Sequence, residues 1–471
     1  MIRRSKLVFA ATAALCACAS VQPTKSRRKV GEIVEQRTGA KDVLAQEQDE
    51  RSRAQVRERV AALVAKPLTL ERAVQIALLN NRELRAVVED LGVAQADLVQ
   101  AGLLQNPTIA GDLVNSASGN GLGGGLSLTQ SLLSVFLIPA KRRLAKSQVA
   151  HAVVTVGQAA LMVTRDVRVA YLGALAAERD LDLQRTLVQV AEVSDELATQ
   201  QLEAGNLNPL DRQLFAAALD EARVDWADAQ LDGAVAREEL TRLLGLWGED
   251  VSFTLADALP ALPASDADLS NLESRAIRER LDLSAARVEV ESIEYAIGLR
   301  RRGVITQIDA GPLARNEVGA DAGHEWVIGG ELSLEIPLFD PGHADIGRMR
   351  AYLRQAEHRL QDSAIAARSE IRIRREQLVA ARRKVEYYRN TILPRTEAIT
   401  ALTLLQYNAM LLGTYQLLET RSDQTEARRD FVRALHDYWV AHSELELAVG
   451  GRLPSAAASP STNPPKTRTT P

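Results

Sequence analysis

The chain has 471 residues with 57 basic and 61 acidic side chains, so it is near neutral and gives no electrostatic support for a nucleic-acid partner. Aromatic residues make up only 4%, while alanine, leucine, arginine and glutamate dominate, a composition that leans toward long helices packed side by side. Both cysteines, Cys16 and Cys18, fall within the first 20 residues, which excludes a structural disulfide or a thiolate metal site in the body of the chain.

The opening MIRRSKLVFAATAALCAC joins a basic start (Arg3, Arg4, Lys6) to an apolar stretch from Leu7 to Leu15 and then to small residues. It reads as a secretory signal over residues 1–17, too short to span a bilayer. Leu15 three places before Cys18, with Ala17 just before it, resembles the lipobox of bacterial lipoproteins and makes Cys18 the lipidation candidate. Cleavage near Ala19 with loss of both cysteines is the alternative. Residue 19 is alanine rather than the aspartate that retains many lipoproteins at the inner membrane, so the resemblance directs the chain to the outer one. Residues 18–66 form a polar N-terminal segment, expected to be helical from Asp42 to Val64, with KSRRK at 25–29 read as a solvated run beside a membrane.

Pro67 closes that segment, and a helix is expected from Thr69 as N-cap. In it Leu84, Leu91 and Leu98 recur every seven residues, with Val87, Ala94 and Ala101 between them, the spacing of a coiled-coil seam. Asn106-Pro107 ends it. A Gly- and Ser-rich region to about residue 138 holds a strand pair, 107–116 with 122–134. No proline occurs between Pro139 and Pro209, which predicts a helix approaching ~100 Å at about 1.5 Å per residue. GNLNP at 205–209 breaks it, a second helix runs to LTRLLG at 240–245, and a linker with Pro260 and Pro263 occupies 246–270.

The plan then returns. NRELRA at 81–86 corresponds to RLDLSA at 280–285, LEAGNLNPL at 202–210 to YNAMLLGTY at 407–415, and LTRLLG to LELAVG at 445–450. The expected fold is thus mostly helical with a two-fold internal repeat, one half over residues 67–245 and the other over 271–451, each ordered helix, strand pair, very long helix, helix. A disordered tail is expected over 452–471. In the second strand pair, about 304–316 with 325–338, the stretch ELSLEIPLFDPG alternates Leu332, Leu334 and Ile336 with Glu331, Ser333 and Glu335. Four strands cannot close a barrel, and lipid does not tolerate an open edge, so a membrane role requires more chains.

The repeat, NNREL near the first helix, LSLEIPLFDPG ahead of a long helix, and YYRNTILPRTEAITALTLLQYNAMLLGTYQLLE together resemble the TolC-like outer membrane efflux protein family, in its lipid-anchored branch. The resemblance implies a homotrimer with a twelve-stranded β-barrel in the outer membrane, a long α-helical tunnel through the periplasm, and tip turns that meet a periplasmic adaptor fed by an inner-membrane pump. It implies that Leu332, Leu334 and Ile336 face lipid and that Glu331, Ser333 and Glu335 face the barrel lumen. The tip turns fall at Gly205, Asn206, Leu207 and Asn208 and at Met410, Leu411, Leu412, Gly413 and Thr414, with Met410 where the first turn has glycine. Pro394 is expected to kink the second long helix, a loop break being the alternative. No charged residue occurs between Ala398 and Leu418, which leaves apolar packing to close an entrance there.

An enzyme is not indicated. The six histidines lack i, i+4 ligand spacing, and no phosphate loop or nucleophile elbow occurs. Glu331 and Glu335 fit a water-facing lining better than an acid–base pair. No cofactor or metal site is expected. The function readings are an efflux duct for heavy metals or drugs, a duct for type I protein secretion, and a periplasmic coiled-coil scaffold without a pore.

Overall fold

The computed structural model describes residues 23–41, 50–115, 122–256, 258–265, 268–303, 308–318 and 324–453. The expected signal peptide, Cys18 and the tail from residue 454 lie outside them. Two compact units share the chain: residues 1–30, 86–156 and 281–363 form the first, and 31–85, 157–280 and 364–471 the second. Each half of the sequence therefore contributes to both units.

The elements in chain order are α1 (Thr24–Thr38), α2 (Glu50–Val64), α3 (Leu70–Asn80), α4 (Arg82–Gln100), β1 (Thr108–Asn115), β2 (Leu122–Ser131), α5 (Leu133–Glu203), α6 (Pro209–Leu244), α7 (Leu272–Glu279), α8 (Leu281–Arg302), β3 (Ile308–Val318), β4 (His324–Leu334), α9 (His343–Tyr387), α10 (Leu393–Asn408) and α11 (Thr414–Val449). Among the described residues, no helix is long and apolar enough to cross a membrane.

Several expectations are corrected. The N-terminal segment holds α1 as well as α2, and within KSRRK Lys25, Arg28 and Lys29 are exposed while Arg27 is nearly buried and bonds to Glu89 at 3.0 Å. The helix capped by Thr69, whose Oγ1 accepts from Arg72 N, breaks at Asn81. There Asn81 turns extended (φ −60°, ψ 123°) and its Oδ1 accepts from Leu84 N at 2.9 Å, so one asparagine ends α3 and starts α4. The heptad seam runs through Leu84, Val88, Leu91 and Ala94, with Val88 rather than Val87 buried. Helix α5 starts ahead of Pro139 and takes that proline inside it. At the far end Arg452 and Leu453 are ordered, since Arg452 N donates to Arg37 O and Leu453 N to Glu446 Oε1.

In the second unit the joints that hold helix to helix come in two corresponding forms. Asn80 Nδ2 donates to Leu244 O and Gly245 O, and Asn81 Nδ2 to Leu243 O, so two amides satisfy the last carbonyls of α6. In the second half Arg280 is extended (φ −61°, ψ 130°) between α7 and α8, and its guanidinium bonds Ala448 O at 3.0 Å and Glu370 at 2.6 Å. Gly245 and Gly450 end α6 and α11 at φ +68° and +92°, left-handed conformations that favour glycine. The core runs through Leu272, Ala276, Ile371, Leu378, Val385, Leu435 and Tyr438. The 246–270 linker is tied to that core where Pro260 O accepts from Trp439 Nε1 at 2.8 Å and Pro263 O from Arg382 at 3.0 Å.

Candidate functional site

Four antiparallel strands in the order β1-β2-β3-β4 form the sheet of the first unit. Opposed residues share a face, so the pairs Ile109↔Leu128, Leu126↔Ala314, Ala310↔Leu332, Ala314↔Ile328 and Asn316↔Trp326 define one surface. On it Ile109, Leu113, Leu126, Leu128, Trp326, Ile328, Leu332 and Leu334 are all exposed, from 43% at Leu128 to 86% at Leu113. The pairs Ala110↔Ser127, Asp112↔Gly125, Ser131↔Asp309, Gly311↔Glu331 and Asp309↔Ser333 define the other, which is mainly polar and carries an Asp112–Arg315 ion pair at 3.7 Å. At Gly311 a Cβ would collide with Leu128 O, so only glycine permits this close approach of β2 to β3.

The structure thus puts Leu332 and Leu334 on the apolar face and Glu331 and Ser333 on the polar one. Glu335 and Ile336 are corrected: the strand stops at Leu334, and both lie in the irregular stretch that follows. Alternation continues in the sequence, but Pro337 has no N–H for a ladder and biases the residue before it. Residues 304–307, the expected start of the third strand, lie outside the described residues.

At the end of the second unit distant from these joints in sequence, two turns superimpose in kind. Gly205 (φ +76°) donates to Leu202 O and Asn206 N to Gln201 O; Met410 (φ +58°) donates to Tyr407 O and Leu411 N to Gln406 O. Asn208 caps α6 by accepting from Asp211 N at 2.8 Å, and Gly413 caps α11 with its N–H bonded to Gln416 Oε1 at 3.1 Å. Thr414 is already the first residue of α11. Phe215 and Tyr415 meet edge to face at 5.6 Å, and the turns flank a cleft of about 660 Å³ lined by Asn206, Leu207, Asp211, Leu214, Met410 and Leu412 among others.

Pro394 follows a single π-helical turn, Tyr388–Ile392, in which Leu393 N reaches back to Tyr388 O. The wider turn accommodates the missing proline donor without a loop. Sequence reasoning missed the charged contacts nearby. Arg429 grips Asp180 through two bonds of 2.7 and 2.9 Å, which hold its guanidinium pKa above the ordinary value. Tyr388 donates to Asp430 at 3.2 Å, and burial first, then the Asp430 charge, raise its phenol pKa. Arg428 and Glu397 pair at 3.4 Å. These charges flank the neutral 398–418 stretch, which on its own had suggested apolar packing.

A family model described as outer membrane efflux protein matches residues 73–246. Over those residues the chain is similar to the outer membrane efflux protein family. The cobalt-zinc-cadmium resistance protein CzcC of Cupriavidus metallidurans is 24% identical to it over 407 residues, 82% of this chain and 91% of that one. Among solved structures, a membrane protein from Pseudomonas aeruginosa shares the fold at a TM-score of 0.68 and 19% identity, over 82% of this chain and 90% of that one. The outer membrane channel CmeC of Campylobacter jejuni does so at a TM-score of 0.65 and 17% identity, over 82% and 86%. Among the described residues the chain shares with these structures a mostly helical fold with a small antiparallel sheet.

Proposed function

We propose that the chain is one protomer of a homotrimeric outer-membrane duct in a tripartite efflux system, taking cargo from an inner-membrane pump through a periplasmic adaptor. The observation that carries this reading is the sheet: one face of exposed large apolar side chains, one mainly polar face, and outer strands β1 and β4 whose far edges pair with no strand among the described residues. In lipid those edges need partners, and three copies of four strands close a twelve-stranded barrel. The 11 residues of β4 extend roughly 35 Å and, tilted by about 45°, cover a bilayer core. The apolar face then meets lipid, Glu331 and Ser333 line the lumen, and Cys18 carries a lipid anchor beside the barrel. The two halves are a duplicated unit, and their matched turns at Gly205 and Met410 form the adaptor contact.

Similarity to CzcC supports divalent metal cations as cargo. The polar face agrees with that chemistry, since Asp112, Asp309, Glu325 and Glu331 outnumber Arg315 on it. The test is cargo-specific: removal of the chain from its host should raise sensitivity to zinc, cobalt or cadmium, and the purified trimer should conduct cations in planar bilayers. Unchanged metal tolerance would dismiss the cargo, and a chain that opens no conductance would dismiss the duct.

A further inference from the structure

Where the sheet of the first unit gives way to helices, the side chains are layered by polarity. All four strands present one end toward the helices, at Thr108, Ser131, Ile308 and Leu334, as the pairs Thr108↔Thr129, Ser131↔Asp309 and Ile308↔Leu334 require. The next step along the chain is greasy and uncovered, with Phe136 79% and Phe339 100% exposed beside Leu104 and Leu338. Beyond it the charge is predominantly basic. Over residues 133–150, 296–302 and 340–354 ten side chains are Lys or Arg and two, Asp345 and Asp340, are acidic, the latter turned back to accept from Gly342 N.

Contacts gather these helix ends in one place. Leu137 lies 3.8 Å from the position a Cβ on Gly303 would take, which sets the start of α5 against the end of α8. Arg300 bonds Asp345 at 3.0 Å, joining α8 to α9, and Arg143 sits 5.8 Å over the ring of Tyr295. Asp345 is thus taken up by Arg300 and by Arg348 at 3.2 Å. Arg142, Lys146, Arg301, Arg302 and Arg350 are exposed and make no ion pair among the described residues. Farther along α8 the signs mix again, with Asp282, Arg287, Glu289, Glu291 and Glu294, so the cationic stretch is local. Like charges held this close repel one another unless an opposite charge faces them.

We propose that this basic collar holds the phosphate groups of anionic phospholipid in the membrane leaflet nearest the helices. The order apolar face, exposed phenylalanines, then arginine and lysine follows the order hydrocarbon, interface, phosphate in a leaflet. Guanidinium forks match phosphate oxygens with paired donors. The inference rests on the reading of the sheet as part of a membrane barrel.

The test uses the full-length trimer in vesicles of phosphatidylcholine alone and with phosphatidylglycerol, with retained lipid weighed by native mass spectrometry after mild extraction. The wild type should retain phosphatidylglycerol preferentially, and less so as salt rises. Each basic residue near an anionic surface is worth about fivefold, so R142Q/R301Q/R302Q/R350Q should lose the preference by well over tenfold while the four Arg→Lys changes keep most of it. Equal retention of both lipids by the wild type, persistent preference in the glutamine variant, or displacement of the lipid by inorganic phosphate would overturn the proposal. So would loss of the trimer by the glutamine variant in neutral detergent, which would assign the collar to carboxylates of a second copy. A wild type that enters neither vesicle would sink the barrel reading as well, whereas entry into both without lipid preference would sink the collar alone.

Discussion

The joints at Asn81 and Arg280 solve one problem with different chemistry. In both, a short helix breaks at a residue of nearly identical backbone angles, and its side chain reaches the closing carbonyls of a long helix that ends in a left-handed glycine. The first half uses two neutral amides; the second uses one guanidinium that also binds Glu370. The turns at Gly205 and Met410 repeat the lesson, with the same bonds made by a glycine in one and a strained methionine in the other. What corresponds between the halves is the pattern of backbone groups that must be satisfied, while the side chains that satisfy it have diverged.

Substitution can break that correspondence. The largest effect is expected from Gly245→Ala, since its Cβ would sit 2.5 Å from Asn80 O on a left-handed backbone. A loss of about 3 kcal/mol or more in thermal unfolding is expected there, against about 1–2 for Gly450→Ala, where the nearest atoms are 3.1 Å away. Equal losses would mean that the closer approach at Gly245 adds nothing to the left-handed strain that the two glycines share. Next, Arg280→Ala removes a charged donor from Ala448 O and should cost about 2–3 kcal/mol. Asn80→Ala leaves two carbonyls without their neutral donor and should cost about 1–2. The reverse order would show that the charged joint is the weaker one.

The smallest effect is expected at the turns. Met410→Gly should stabilise by about 1 kcal/mol by relieving the left-handed strain, and Gly205→Met should destabilise by a similar amount. Met410 is 93% exposed, so within the chain its side chain has little packing to lose. A Met410→Gly protein that unfolds later yet exports less would place that side chain on the adaptor; unchanged export would remove it from the contact.

Local signals were legible in the sequence. Thr69 as a cap, the turn after Glu203 and the two faces of β4 follow from neighbouring residues, and the match of Gly205 with Met410 follows from the repeat. What escaped depends on distant partners. Asn81 looks helix-compatible until the carbonyls of Leu243 and Leu244 claim the paired amides. Helix α1 is highly charged and shows its purpose only through Val30, Val34 and the nearly buried Arg27. Alternation assigned Leu332 and Glu331 to opposite faces but ran past Leu334, because a period of two says which way side chains point and not where strand pairing ends. At Pro394 the missing donor was visible, whereas the π turn that absorbs it was not.

The central claim, that the sheet lies in a membrane closed by copies of itself, is tested most directly at two adjacent residues in the middle of β4. Ile328 is 82% exposed on the apolar face, and Gly329 has open space where a side chain would begin on the polar face. Neither arginine substitution meets a steric obstacle within the chain, so only the surroundings can tell them apart. Ile328→Arg puts a charge in lipid at about 2–4 kcal/mol per chain near the midplane, whereas Gly329→Arg puts it in water. The measurement is the amount of heat-resistant trimer recovered from the outer membrane. A sharp loss for Ile328→Arg with near-normal recovery for Gly329→Arg is the predicted result; equal recovery, or the opposite order, would contradict a membrane barrel.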